Sequence, residues 1–361
     1  MSTLLDYKCP SCGGSIQFDS GTQNMKCPYC DTEFEVEALR ELDEALQAEP
    51  QDDLSWSESP DSAWQEGEEQ ELEQYVCQSC GGQIVTERTT SATSCPYCAN
   101  PVILAQRLSG SLKPDCVIPF QLDQKAAQQA LQKHFKGKPL LPKRFKDENH
   151  VREIKGVYVP FWLFDADADA SIRYRATRTR MWSDSNYNYT STSYYSVHRE
   201  GSLAFAAVPV DGSEKMDNVL MESLEPFDVS KAVDFQTAYL AGYLADVYDV
   251  SAKDSEPRAN ERIRTSVEQM FRDTVVGYNS VITQGSSIRL SGGKIRYALY
   301  PVWLLSTRWN GENYMFAMNG QTGKLVGNLP TDWGAFWRWF GLVSLGAGAL
   351  STLVAYLAGF L

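Results

Sequence analysis

The sequence predicts a multidomain α+β protein: two small cysteine-built β modules, a repeated α+β middle region with antiparallel sheet, and one C-terminal transmembrane helix. Three observations carry this expectation. A cysteine block occurs twice, without a gap, at an offset of 68 residues. A P-x-W-L motif recurs in the middle of the chain, at Pro160–Leu163 and Pro301–Leu304. After Arg338 no charged residue follows. At 361 residues the chain is long enough for two or three domains.

The first block, residues 1–36, reads YKCPSCGGSI and then CPYC; the second, residues 75–105, reads YVCQSCGGQI and then CPYC. CPYC by itself suits either a redox pair or one knuckle of a metal site. The redox reading needs a βαβ unit around a single C-x-x-C, and neither block is long enough to hold one. Four thiols spaced C-x2-C-x14-C-x2-C match a structural zinc site, in which two knuckles deliver two thiolates each to a tetrahedron. Eight cysteines could also form disulfides, but the exact repetition of the spacing favours zinc. The expected ligands are Cys9, Cys12, Cys27 and Cys30 in one ribbon, and Cys77, Cys80, Cys95 and Cys98 in the other. A segment of about 30 residues buries too little apolar surface to fold alone, so the metal has to hold it together. Gly13–Gly14 and Gly81–Gly82 suit the knuckles, because glycine reaches positive φ without steric cost. The ninth cysteine, Cys116, lies among apolar residues and reads as a buried small hydrophobe. Reduced thiolates point to the cytosol, and MSTLLDYK has neither the basic nor the apolar region of a signal peptide.

Residues 37–74 join the ribbons. From Arg40 to Tyr75 thirteen Asp or Glu stand against the single Arg40, which accounts for nearly all of the net charge of −13. The segment reads as a short helix continuing from VEALRELDEAL and, beyond Pro50, as a disordered acidic linker. Its solvated-spacer reading is preferred over one in which Trp56 and Trp64 dock a partner protein. So much acid disfavours nucleic acid as a partner, since phosphate contacts need clustered Lys and Arg.

The middle divides into two α+β repeats, 111–222 and 223–330. Each P-x-W-L strand is preceded by an apolar tetrapeptide, VIPF (Val117–Phe120) or LEPF (Leu224–Phe227), leading into a helical stretch. Those stretches are QLDQKAAQQALQKHF and KAVDFQTAYLAGYLADVY. ERIRTSVEQMFRDTV adds a helix with Ile263, Val267, Met270, Phe271 and Val275 on one face. DADADASIRYRAT alternates as a strand, with Ala166, Ala168, Ala170, Ile172 and Tyr174 on one side. Asp165, Asp167 and Asp169 take the other side and read as a solvated face rather than metal ligands. Asn310–Gly311 and Asn319–Gly320 are hairpin-turn signals. The basic run with Lys136, Lys138, Lys143, Arg144 and Lys146 reads as an exposed loop, with anionic lipid or the acidic linker as alternative contacts. SNYNYTSTSYYSVH reads as an exposed hairpin or loop.

Residues 333–361 form the expected anchor. Trp339–Leu361 gives 23 uncharged residues, about 34 Å as a helix and enough for a bilayer core. Trp333, Trp337 and Trp339 supply an aromatic belt at its start. Ser344, Gly348 and Thr352, four apart, offer a face for self-association in the membrane. With the ribbons in the cytosol, this predicts a single-pass protein of the cell (inner) membrane.

No catalytic constellation accompanies these parts. His134, His150 and His198 lie in no HExxH, GxSxG and Walker A runs are absent, and Gly292–Lys294 is not a P-loop. Closed four-thiolate sites leave no coordination position for substrate, and the expectation is a protein that is not an enzyme.

The two ribbons, the P-x-W-L repeats and the NGQTGKLVG segment before the terminal helix together resemble bacterial membrane-anchored zinc-ribbon proteins encoded beside PspA-type (phage-shock) membrane-stress proteins. The resemblance spans essentially the whole chain. It implies an adaptor that gathers cytosolic, PspA-like stress proteins at the membrane. The alternative is a membrane-tethered ribbon protein that binds nucleic acid.

Overall fold

Strands alternating with tight polar turns build the first module: β1 (Gln17–Asp19), β2 (Asn24–Lys26) and β3 (Glu33–Phe34) pair antiparallel in that order. Phe18 faces Met25 across one pair and Met25 faces Phe34 across the next. In this computed structural model the described residues are 9, 11–12, 14–39, 52–57, 60, 62–64, 68, 72–87, 94–100, 104–107, 111–146, 151 and 153–359. Gly13, His150 and the expected continuation of a helix through residues 40–51 lie outside them, as does the side chain of Lys146.

The second module has β4 (Leu72–Val76), β5 (Gln83–Glu87) and β6 (Leu104–Arg107), with β4 antiparallel to both neighbours. The middle region follows: β7 (Cys116–Val117), α1 (Gln124–Phe135), β8 (Lys155–Ser183), β9 (Asn188–Asp211) and α2 (Asn218–Ser223). Next come β10 (Val233–Asp234), β11 (Leu244–Asp246), α3 (Ala252–Asp273), β12 (Ser280–Trp309), β13 (Glu312–Asn319), β14 (Leu325–Gly327) and α4 (Trp333–Leu357). The chain clusters into two units that interleave along the sequence. One comprises Met1–Ser57, Asp165–Phe205 and Asn260–Gly293; the other comprises Glu58–Phe164, Ala206–Ala259 and Lys294–Leu361.

In the second unit the strands run in the order β10-β7-β12-β8-β11-β5-β4-β6. The repeat is visible as short strand, helix, long strand: β7–α1–β8 and β11–α3–β12. Each short strand pairs with the long strand of the other copy. Cys116 and Val117 lie parallel to Ala298 and Leu299, while Leu244 and Ala245 lie parallel to Val157 and Tyr158. The P-x-W-L tryptophans cross over as well. Trp162 donates its indole N–H to Val250 O at 2.9 Å, and Trp303 donates to Leu122 O at 3.1 Å. Each acceptor sits two residues before the helix of the other repeat.

This corrects the sequence-based alignment of the copies. LEPF is not the counterpart of VIPF, and KAVDFQTAYLAGYLADVY is not a helix. It carries a 3-10 turn, Thr237–Leu240, and then β11. Gly242, at φ +81°, takes a left-handed conformation that ends any helix there. The Asn310–Gly311 turn joins β12 to β13 as predicted, both residues having positive φ. At Asn319 the reverse turn is one of longer reach, closing through Asn319 N–H on Lys324 O, with Gly323 at positive φ.

Two apolar cores flank the sheet of this unit. One gathers Ile118, Val157, Val159, Phe161, Leu163, Tyr300, Val302 and Leu304, and Cys116 is buried in it as expected. The other packs Ala127, Leu131 and Phe135 of α1 against Trp303, Leu305 and Phe316. Leu141 and Phe145, from within the basic run, are buried in that second core. The run is therefore tied down by its apolar residues.

In the first unit, Ala166, Ala168, Ala170, Ile172, Tyr174 and Ala176 form the buried face of β8, while Asp167 and Asp169 are exposed. Asp169 accepts from Ser202 Oγ at 2.5 Å, and the three aspartates converge on no common point. Ile263, Val267 and Phe271 of α3 are buried as predicted; Met270 is instead exposed, to the side of the i, i+4 ridge. The tyrosine-rich stretch is a hairpin. Asp184 closes its turn by accepting from the backbone N–H of Asn186 and Tyr187 at 2.8 Å each.

Part of the acidic linker is held in place, contrary to the expected disordered spacer. Residues 52–57 lie extended in the first unit, with a parallel bridge from Asp53 to Arg289. Within the second unit, Trp64 donates its indole N–H to Ser111 O and meets Phe235 edge-on, and Ser62 bonds Asp115. Lys113 pairs with Glu68 at 2.8 Å. Both tryptophans are half-buried.

Asp332 caps α4 by accepting from Ala335 N–H at 2.9 Å. The helix is long and apolar enough to cross a membrane, and its most apolar window is wholly unburied. Trp333, Trp337 and Trp339 are exposed near its start. Thr352 Oγ1 bonds back to Gly348 O at 3.0 Å, and Gly341, Gly346 and Gly348 have open space around them.

Candidate metal centres

All eight predicted ligands come together in two tetrads, each with its four sulfurs within 4.8 Å of one another. In the first, Cys9 Sγ lies 3.6 Å from Cys30 Sγ and Cys12 Sγ lies 3.4 Å from Cys27 Sγ. In the second, the Cys77–Cys98 and Cys80–Cys95 pairs are both at 3.6 Å. A tetrahedron with Zn–S bonds of about 2.3 Å has edges of about 3.8 Å, so both tetrads fit Zn2+. The paired sulfurs, 3.4–3.6 Å apart, stand well beyond the roughly 2.05 Å of a disulfide bond.

Among the described residues, three of the four cysteine pairs show how their own backbone shapes the knuckle. The residue after the second cysteine takes positive φ: Asp31 at 54°, Gly81 at 72° and Ala99 at 59°. That turn closes when its N–H donates to the carbonyl of the first cysteine, at 2.9 Å for Asp31, 2.8 Å for Gly81 and 3.0 Å for Ala99. Only one of these three positions is glycine, so the fold accepts the left-handed strain of an ordinary side chain to build the knuckle. The second glycine of each pair has a different task. A Cβ on Gly14 would fall 2.6 Å from the Tyr29 ring, and one on Gly82 would fall 3.0 Å from the Tyr97 ring.

Beyond the ligands, Thr32 and Asn100 occupy equivalent positions in the two blocks. The Thr32 hydroxyl lies 3.2 Å from Cys30 Sγ, and Asn100 Nδ2 donates to Cys98 Sγ at 3.5 Å. The Thr32 hydroxyl is the foremost cause holding the Cys30 thiol down to about 6. Burial pushes the Cys95 thiol well up, against N–H groups of Cys98 and Tyr97 that favour its thiolate. Metal binding therefore releases protons from this site and depends on pH. Residue type alone does not single out these supporting groups in the sequence; the signal they carry is the shared offset of 68.

The tetrads differ in their surroundings. The first is packed by a small cluster of Ile16 and Leu39 with Met25 and Phe34, and Cys12 is exposed. The second belongs to the main core of its unit, where Cys77, Cys95 and Tyr97 are buried with Val157, Val159 and Tyr300. Its β5 continues the sheet by pairing with β11, Val85 opposite Ala245. Ser306 Oγ donates to Tyr97 O at 2.7 Å, and Lys155 Nζ donates to Ser94 O at 2.5 Å, beside Cys95. The second ribbon is a wall of the middle domain rather than a separate module.

Close to it lies a buried acidic pair that the sequence did not signal. Ser213 bridges Asp211 and Asp246: its backbone N–H donates to Asp211 Oδ1 at 3.1 Å and its hydroxyl to Asp246 Oδ2 at 2.6 Å. Burial pushes Asp211 up to about 8 and Asp246 up to about 7.

The fold and the two thiolate tetrads define a double metal-ribbon protein with an apolar C-terminal helix. The chain belongs to the family of the uncharacterized protein YdjG of Bacillus subtilis (strain 168), to which it is 35% identical over 356 residues covering 99% of each chain. No family model matches it, and no solved structure matches it.

Proposed function

We propose that this protein is a single-pass membrane adaptor, whose zinc ribbons face the cytosol and gather PspA-type membrane-stress proteins at the bilayer. It acts by binding rather than catalysis, since closed four-thiolate centres offer no position for a substrate. One observation carries the reading. The first ribbon exposes Phe18 and Tyr29, at 55% and 75%, on a metal-held scaffold, while α4 offers the bilayer a long unburied apolar surface. Exposed aromatics on a rigid platform suit protein docking. The second ribbon, committed to the core, serves as a structural wall in this scheme.

The test is affinity purification of the full chain from solubilised membranes, beside a Cys9→Ser, Cys12→Ser variant. The expected result is a PspA-type protein recovered with the native chain and lost with the variant. Recovery of no such protein, or salt-sensitive retention of nucleic acid instead, would overturn the proposal.

A further inference from the structure

The apolar helix is fastened at its start to the basic run. Asp332, the N-cap of α4, donates its backbone N–H to Leu140 O at 2.8 Å. Leu329, three residues before that cap, packs against the core that buries Leu141 and Phe145. The run itself has a fixed path. Gly137, at φ +78°, turns the chain away from the end of α1. Leu141 N–H then donates to Lys138 O at 3.2 Å, and Phe145 N–H donates to Pro142 O at 3.1 Å within a 3-10 turn over Lys143–Lys146.

This joint carries positive charge that the chain leaves uncompensated. Lys138 is turned toward His134, its Nζ 2.8 Å from Nε2. Lys136, Lys143 and Arg144 are exposed, and their side chains meet no acidic partner among the described residues. Of the linker acids, Asp52 pairs with Arg264 and Glu68 with Lys113, so neither serves the run. The position of the joint names a different counter-charge. Trp339, where the uncharged stretch begins, is seven residues beyond Asp332, about 10 Å along a helix. A polar headgroup layer of about 5–8 Å borders the hydrocarbon of a bilayer, and Lys and Arg side chains extend far enough to enter it.

We propose that Lys136, Lys143 and Arg144 form a binding site for anionic phospholipid headgroups at the foot of α4. The site rests on the reading of α4 as a membrane-spanning helix. Each basic side chain at such a surface strengthens the attraction about fivefold. Because the run is joined to the helix by backbone and core contacts, headgroup binding also sets how the second unit stands on the membrane.

The experiment titrates the full chain, in uncharged detergent micelles, with dioleoyl phosphatidylglycerol or dioleoyl phosphatidylcholine, and counts retained lipid by native mass spectrometry. The native chain should prefer the anionic lipid, and Lys143→Ala with Arg144→Ala should cut that preference about twentyfold. Lys231→Ala with Lys253→Ala removes the same charge from exposed positions elsewhere in the unit and should leave the preference unchanged. Both double variants alter exposed side chains only, so their thermal unfolding should match that of the native chain. No preference for the anionic lipid, an equal loss in the two double variants, or displacement of the lipid by millimolar inorganic phosphate overturns the proposal. Flotation with phosphatidylcholine vesicles tests α4 separately. A chain that floats without showing the lipid preference loses the headgroup site alone, whereas a chain that does not float loses the membrane reading and the site with it.

Discussion

Tyr29 and Tyr97 stand at the same position of the repeated CPYC tetrapeptide, yet Tyr29 is 75% exposed and Tyr97 only 4%. Both rings cover the second glycine of their knuckle. The difference comes from β5, which joins the second ribbon to β11 and draws Tyr97 into the core of its unit. Truncating these residues should therefore have unequal effects. Tyr97→Ala should cost about 3 kcal/mol, as large aromatic deletions in cores do. Tyr29→Ala should stay within about 0.5 kcal/mol, as surface changes do. Urea unfolding of the zinc-loaded chain distinguishes them, and equal midpoints would refute the contrast.

Metal loss should divide along the same line. With Cys27→Ser the first ribbon loses a ligand, and the main thermal transition should remain in place while one zinc per chain is lost. With Cys95→Ser the main transition itself should fall or disappear. Calorimetry with metal analysis checks both outcomes. A structural site of this type is worth on the order of 10 kcal/mol to the fold it closes.

The Asp211–Asp246 pair makes stability depend on pH. An unfolded aspartate titrates near about 3.9, whereas burial holds these two at about 8 and about 7. Between those values the folded chain binds more protons than the unfolded chain, so stability falls as pH rises from about 4 to about 8 and levels off above. Asp211→Asn should reduce the loss in Tm between pH 5.5 and 8.5, measured with zinc saturating at both. An unchanged loss would mean that the pair does not carry this dependence.

Asn319 ties the last hairpin to the α2 region. Its amide donates to Leu224 O and Pro226 O at 3.0 and 3.1 Å, and its oxygen accepts from the N–H groups of Gln321 and Thr322. Asn319→Ala would strand several of these groups away from water, at about 1–3 kcal/mol for each one left without a partner. A lowered unfolding midpoint with an unchanged m-value is the expected record.

Leu350 lies within α4 and is 63% exposed. If the helix spans a bilayer, Leu350→Arg adds about 3 kcal/mol to its insertion. The variant should then shift from the carbonate-resistant membrane fraction toward the supernatant. An unaltered distribution would argue against a spanning helix.

The parts that were legible in the sequence are those whose information is local. Thiol spacing picked out the eight cysteines that meet in two tetrads, alternation the buried face of β8, and the uncharged run α4. Tertiary choices were not legible. The helical expectation for residues 231–248 failed because Gly242 and the pairing of β11 with β8 outweigh local propensity. Met270 fitted the helical period but lies beside the buried ridge. The acidic linker looked solvated because composition does not reveal that Asn260 and Gly293, more than 200 residues further on, form a seat for Trp56.

The exchange of short strands between the repeats sets an order on the birth of the chain. When Cys116 and Val117 leave the ribosome, the strand that will hold them, at Ala298 and Leu299, is still some 180 residues from being made. Neither repeat can complete its sheet alone, so contacts of such long range defer closure. Tyr97, and with it the wall around the second tetrad, waits for Ser306 in the same way. Synthesis then reaches Trp333, where the apolar helix begins. The nascent chain therefore completes its sheet and gains its long apolar helix at nearly the same moment.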